Sequence, residues 1–377
     1  MIVSVCRPSE LGARETAAWH AWQAATGLDN PFLAPEFARE VGEVYASARV
    51  AVVEDGGELV AFLPFTQQRM RVATGIAGRL TNCQALVCSP DAAVPLGEVV
   101  RRAGLSMFEF HALVPAAGEH ASRLRRVDAL RIDLSDGFEA YLAGARRAGG
   151  SFVKEIERKA RRLEREHPGA VRFEFGQQDD AAVATLRSWK SSQYRRTGRT
   201  DIFAQRSVCE LLDRLAHCST PSLTGGVSTL WIDERLVAAD FSLRSTTTYA
   251  GWITSYDTAL ARWSPGAVAT LRLIEATVEH GIDTIDLATG DEEFKRRLAS
   301  HSTPLCGGWV GRPCVGTVVN RAIHGPADWA HRYIVSRPQL RRVTRRALLH
   351  YGTFRSQIGA AGAPQPRRRE QATSSSS

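Results

Sequence analysis

Cysteine pairs at metal or redox spacing are missing from this chain. Its seven cysteines (Cys6, Cys83, Cys88, Cys209, Cys218, Cys306 and Cys314) are odd in number, and none stands in a Cys-x-x-Cys pair. That argues against a disulfide scaffold and a structural zinc site, and it fits a reducing compartment. The expectation is a cytoplasmic protein without a metal. No apolar run reaches the length of a membrane-spanning helix. The start, Met1-Ile2-Val3-Ser4-Val5-Cys6-Arg7, has no basic region ahead of a long apolar run, so no signal peptide is expected. An aromatic-rich RNA-reading motif is also missing, which makes nucleic acid an unfavoured partner.

What is present describes a globular chain. It has 377 residues, 44% hydrophobic and 23% charged, with net charge +8. The length suits two domains, and the clustered positive charge favours anionic partners such as a phosphorylated cofactor or acceptor.

The order of elements repeats. Arg49 to Glu54, the turn Asp55-Gly56-Gly57, and Leu59 to Thr66 read as a hairpin. A helical run over Ala92 to Ala103 then ends at Gly104, and Ser106 to Ala112 reads as a buried strand. In the second half, Val227 to Ile232, the turn Asp233-Glu234-Arg235, and Leu236 to Leu243 form the matching hairpin. Both second strands begin Leu-Val-Ala, at Leu59 and at Leu236. The fold class is therefore α/β (α+β), with two related units in tandem. Residues 1–130 form the first, degenerate unit and 131–311 the second; 312–358 form a basic, partly helical extension and 359–377 a disordered tail. Trp19 and Trp22, in a helix over Glu15 to Thr26, read as core. A second helix is expected from Pro35 to Tyr45.

Between the units, Arg131 to Leu134 reads as a strand leading to a helix capped at Ser135. A basic helix follows over Arg146 to His167, whose eight Lys or Arg are interleaved with four Glu. It is either a solvated face laced by i,i+4 pairs, such as Glu155 with Lys159 and Glu157 with Arg161, or a wall for an anion. Ala170 to Phe175 reads as a strand; Asp179 or Asp180 caps the helix that runs to Tyr194, and another helix covers Ser207 to His217.

The stretch Tyr249 to Arg297 organises the second unit. A strand, Tyr249 to Ser255, leads through a loop to Ser264-Pro265-Gly266, where Ser264 suits an N-cap and Pro265 the first helical position. Val268, Leu271, Ile274 and Val278 carry the helical period, and Gly281 ends it. A second strand, Thr284 to Ala288, opens through Thr289-Gly290-Asp291 into a basic helix, Glu292 to Leu298. The helix start at Ser264, with Arg262 just before it, is a candidate site for a phosphate or pyrophosphate.

These residues carry a resemblance. Leu236-Val237-Ala238-Ala239-Asp240-Phe241, then Tyr249-x-x-Trp252-x-x-x-Tyr256-Asp257, Ser264-Pro265-Gly266, and Ile285-Asp286-Leu287-x-x-Gly290-Asp291-x-x-Phe294-Lys295-Arg296-Arg297 resemble the CelD/BcsL-type, BioF2-like acetyltransferases. These are members of the GNAT superfamily, similar to the FemABX transferases in having tandem units. The resemblance is closest over residues 150 to 310. It implies mixed, mostly antiparallel sheets flanked by helices. It also implies an acyl-CoA donor, acetyl-CoA first, and an amine or hydroxyl acceptor, often linked to surface polysaccharide. In such folds two neighbouring strands splay to admit the pantetheine arm, and the pyrophosphate rests on the next helix. Arg262, Ser264, Gly266 and Ala267 would then hold the cofactor. The usual phosphate loop, Arg or Gln followed by two glycines at set spacing, is reduced here to Arg262 and Gly266.

Asp240 or Asp291 would serve as base or acceptor orienter, Lys295 as an anion ligand and Tyr256 as the acid for the thiolate, with Trp252, Asp286 and Arg296 near the acceptor. Each has an ordinary alternative: Asp240 an exposed strand carboxylate, Asp291 an N-cap, Lys295 a surface partner of Asp291, Tyr256 rim packing. His280 and His301 read as structural. The other function classes are a Fem-like aminoacyl-tRNA-dependent transferase and a non-catalytic polyanion-binding protein.

Overall fold

The computed structural model describes residues 1–115, 124–148, 151–290 and 292–311. The expected extension and tail, 312–377, lie outside the described residues, as does Asp291. In chain order the first half runs β1 (Ile2–Cys6), α1 (Ala13–Thr26), α2 (Pro35–Val44), β2 (Ala48–Asp55), β3 (Glu58–Gln67), β4 (Val72–Gly75), β5 (Val87–Cys88), α3 (Leu96–Arg102), β6 (Met107–Leu113) and β7 (Arg125–Asp133). Then come α4 (Phe138–Ala148), α5 (Ser151–Glu166), β8 (Val171–Gln177), α6 (Asp180–Thr197), α7 (Arg206–Ala216), β9 (Thr224–Ile232), β10 (Arg235–Arg244) and β11 (Thr248–Tyr256). The chain closes with α8 (Pro265–Glu279), β12 (Thr284–Thr289), α9 (Glu293–Leu298) and β13 (His301–Gly311).

All the strands join one mixed sheet, in the order β1-β2-β3-β4-β6-β13-β7-β12-β11-β10-β9-β8, with β5 added beside β3. This order is a near-palindrome. Each half lays down four antiparallel strands, crosses over by a helix (α3 or α8) and adds a fifth strand in parallel: β6 on β4, β12 on β11. The sixth strand of each half is exchanged. β7 follows β6 in the chain but pairs with β12, and β13 follows β12 but pairs with β6. The exchanged strands pair with each other from His301↔Arg131 to Gly307↔Arg125. The repeat read from the hairpins is thus a pseudo-twofold unit, and its two copies build one sheet.

Local chemistry explains the elements foreseen. The β2–β3 turn closes on Gly56 and Gly57, both at positive φ (61° and 90°), as a primed two-residue turn requires. α8 ends in a Schellman motif: Gly281 at φ 72° donates to Val278 O at 2.9 Å and Ile282 N to Thr277 O at 3.1 Å. Several boundaries differ. α3 begins only at Leu96, because Pro95 forces the residue before it out of the helical region. Ser135 does not cap a helix. It donates to Asp133 Oδ1 at 2.7 Å, and α4 starts after Gly137. The basic stretch belongs to two helices, α4 and α5, rather than to one. β13 contains Pro304, Gly307 and Gly308, which disfavour a central strand; pairing along both edges overrides that preference.

One core spans both halves on one face of the sheet. There Trp19, Phe37 and Phe62 from the first half meet Leu186, Leu211, Phe241 and Ile253 from the second. Trp19 stacks on Phe62 at 4.9 Å, and its indole N–H donates to Leu33 O at 2.9 Å, so the tryptophan is core as expected. On the other face α3 covers the first half, and α4, α5 and α8 cover the second.

Deleting residues 301–311 from the full chain would open the facing edges of β6 and β7. The expected outcome is loss of a cooperative melt and conversion to aggregate, read by calorimetry and size-exclusion chromatography.

Candidate functional site

The parallel ladder between β11 and β12 is short. It pairs Thr248↔Thr284, Tyr249↔Ile285 and Ala250↔Asp286, then stops, although β11 runs on to Tyr256 and β12 to Thr289. Both strands are deformed at that point. On β11, Phe241 pairs with Ile253 and Ser242 with Gly251, so Trp252 is an extra residue that turns the strand. On β12 the register with β7 shifts between Asp286 and Thr289, and Ala288 stands at φ 62°. The two strands therefore part in a wedge. Backbone carbonyls on the β11 edge take side-chain donors where β12 would have paired: Asn82 Nδ2 to Gly251 O at 2.7 Å and Lys190 Nζ to Thr254 O at 2.9 Å.

α8 opens beside this wedge with Pro265 at its first position. Ser264 departs from the expected cap. It lies in the left-handed region (φ 54°, ψ 52°), makes no side-chain cap bond, and its hydroxyl accepts instead from Lys159 Nζ at 3.0 Å. Its carbonyl takes the N–H of Ala267 at 2.9 Å and of Val268 at 3.2 Å. Arg262 lies 3.8 Å over the Trp263 ring. Two cations, Lys159 and Arg262, are thus gathered at the positive end of a helix. Lys159 also lies 3.7 Å from Glu155. Tyr256, 38% exposed, packs its ring over Gly266, where an added Cβ would meet it at 3.1 Å. That places Tyr256, Arg262, Ser264, Gly266 and Ala267 around one helix start.

Asp240 stands on β10, opposite Thr254 of β11. One carboxylate oxygen accepts from Tyr249 Oη at 2.6 Å and the other from the Thr254 hydroxyl. Burial raises its pKa above the usual carboxylate range, against the pull of those two donors and of Lys190 and Lys295. Lys190, on α6, is pushed below the usual lysine range first by burial, then by the charges of Arg199 and Lys295; Asp240 and Glu292 oppose the shift. Asp240, Lys190 and Lys295 therefore sense one another's charge. Lys295 lies 3.6 Å from Glu292, its neighbour one turn back. Arg296 is exposed on α9, and Phe294 packs edge-on against Phe152 at 5.7 Å.

Asp286 is buried, 1% exposed, and faces protein on every side. Its oxygens accept from Ala288 N at 2.7 Å and Asn30 Nδ2 at 2.9 Å, with Arg131 at 3.8 Å. Burial raises its pKa, opposed chiefly by Arg131. Burial also pushes the Cys83 thiol up to about 12, and Asp286 adds to the shift. Trp252 is half-buried between Phe32 and Phe241, at 5.7 Å and 5.8 Å. His280 lies against the Phe175 ring at 4.4 Å.

The basic wall is neutralised in part, and Lys159 pairs with Glu155 as expected. Arg146 pairs with Glu157, Arg158 with Glu155, Arg162 with Glu166, and Arg272 of α8 with Glu164. Sequence reasoning did not single out Lys190, Asn30 or the cross-sheet role of Asn82. Asn30 before Pro31 carried a turn signal, but nothing local marked its partner. Among the described residues, no group of three His, Cys, Asp or Glu could hold a metal ion, and no helix is long and apolar enough to cross a membrane.

The parallel pair thus parts beside a cation-bearing helix start. Residues 150–296 match the family model described as an acetyltransferase (GNAT) domain. That domain occupies the stretch, and the chain is an acyltransferase. No curated protein matches. Solved structures similar to the chain include a tandem GNAT protein of the clavulanic acid biosynthesis pathway (12% identity, 83% of this chain and 99% of that one, TM-score 0.44). FemX is also similar (8% identity, 70% and 87%, TM-score 0.46). So is the C-terminal domain of a candidate lysylphosphatidylglycerol synthetase from Agrobacterium fabrum (12% identity, 81% and 95%, TM-score 0.49). With scores below 0.5, these likenesses carry no argument about function.

Because the Ser264 hydroxyl does not cap α8, Ser264→Ala is expected to change stability by less than about 0.5 kcal/mol, where loss of a working cap costs about 1 kcal/mol. Urea denaturation of the two proteins decides between these values.

Proposed function

We propose that the protein transfers an acetyl group from acetyl-CoA to an amine or hydroxyl of a small acceptor, a sugar or nucleotide sugar of surface polysaccharide being the first class to screen. The observation that carries this reading is the parting of β11 and β12 beyond Ala250 and Asp286, next to the start of α8. Residues 131–311 would carry the transfer, and 1–130 would not bind a donor of their own. When bound, acyl-CoA supplies the thioester. The wedge admits the pantetheine arm between the two strand edges. Lys159, Arg262 and the first N–H groups of α8 hold the diphosphate, with Tyr256 on the rim. Asp240 takes the proton from the acceptor, and the donors from Tyr249 and Thr254 orient its carboxylate. Lys295 and Arg296 flank the mouth on α9, where they meet an anionic part of the acceptor.

Three outcomes test this. Calorimetry with acetyl-CoA should give one site per chain; binding of tRNA instead would favour the aminoacyl-transfer alternative. Lys159→Ala with Arg262→Ala should raise KM for acetyl-CoA about tenfold or more while kcat changes little. Asp240→Asn should lower kcat about 10²–10⁴-fold. Since the raised pKa of Asp240 must be passed before the base is charged, wild-type kcat/KM should climb with pH through a value above the ordinary carboxylate range, and the variant should lose that limb. Full turnover in the variant would assign the base elsewhere.

A further inference from the structure

We infer that the first half of the chain holds open the cleft of the second, with Asn30 and Asn82 as positioning residues; this rests on the donor-cleft reading above. A parted parallel pair leaves backbone groups unpaired at a buried edge, which is costly, so the pair closes unless something else satisfies them. Here the substitutes come from far along the sequence. Asn82 donates to Gly251 O, the first carbonyl of β11 beyond the ladder. Asn30 acts on both strands at once. Its amide nitrogen donates to Asp286 Oδ2 on β12 at 2.9 Å, and its oxygen accepts from Phe32 N at 3.1 Å. That second bond sets Phe32 edge-on against Trp252, the extra residue of β11. Asp286 in turn grips the N–H of Ala288 and holds the left-handed kink that leads β12 away from its neighbour.

The equivalent wedge of the first half is filled. β4 and β6 pair only from Val72↔Met107 to Thr74↔Glu109. Beyond that point Gln84 lies alongside β6: its N–H donates to Ala112 O at 2.9 Å, and its carbonyl accepts from Val114 N at 2.8 Å. Its side-chain oxygen takes the N–H of His111 at 3.1 Å, and its amide lies against Gly75, where an added Cβ would force the Gln84 side chain to move. One loop, Thr81 to Ala85, therefore plugs the first wedge with Gln84 and props the second with Asn82.

The test uses the full chain with Asn30→Ala, Asn30→Asp and Asn82→Ala. Leu63→Ala, in the separate core of the first half, serves as a stability control. Two readouts are taken: affinity for acetyl-CoA by calorimetry, and amide hydrogen exchange over residues 286–290. The three asparagine variants should bind acetyl-CoA at least tenfold more weakly and exchange at least tenfold faster in that segment. Leu63→Ala should lower the melting temperature and leave both readouts unchanged. In N30D the protonated carboxyl can donate to Asp286 as the amide did, so affinity should recover as pH falls; loss of fold alone would not recover. Unchanged exchange in the asparagine variants, or equal effects in Leu63→Ala, overturns the inference. Wild-type protein that does not bind acetyl-CoA overturns the donor reading, and the exchange readout still decides the bracing role.

Discussion

The pairing of β7 with β13 is the constraint on which the rest of the structure depends. Each strand belongs by sequence to one half and by hydrogen bonding to the border between both. Seven register pairs join them, and their outer edges carry β12 and β6. With the centre fixed in this way, neither half can shift without breaking a ladder. The core on one face, from Trp19 to Ile253, then fills as a single body. The position of Asn30 against Asp286 and of Asn82 against Gly251 follows from that fixed frame.

Charge is distributed by the same logic. The net +8 of the chain suggested a basic face. Part of that charge is met within the wall: Arg146, Arg158, Lys159 and Arg162 pair with glutamates of α5, and Glu164 of α5 pairs across with Arg272 of α8. Such exposed pairs contribute little stability each. Four cations stand near the wedge: Lys159 and Arg262 at the start of α8, Lys190 and Lys295 near Asp240, with Glu155 beside Lys159 and Glu292 beside Lys295. The depressed pKa of Lys190 reflects that crowding together with burial.

Much of the local architecture was legible in the sequence, since it is written in short-range chemistry. Gly56-Gly57 fixes one hairpin; Pro265 and Gly281 bracket α8; Asp179 caps α6 by accepting from Ala182 N at 3.0 Å. The near-repeat of the two hairpins was also visible. The exchange of β7 and β13 was not, because no residue in either strand encodes which edge it will meet, and Pro304, Gly307 and Gly308 carry no strand preference. At the site, Ser264-Pro265-Gly266 marked the right place, but Ser264 adopts a left-handed backbone and its hydroxyl turns to Lys159. The alternation around Asp286 gave its face and not its surroundings, since its partner Asn30 lies 256 residues away. Asp291 lies outside the described residues, so its role remains an expectation of the sequence.

The exchange of β7 and β13 also has a consequence for synthesis on the ribosome. β6 meets its outer neighbour only when β13 emerges, after nearly all of the described chain has left the exit tunnel. Until then the nascent first half presents an open strand edge and cannot complete its sheet, and closure across so long a sequence separation is slow. A protein built this way gains a rigid seam between its halves, and it has a period during translation when chaperone cover of that edge decides its yield.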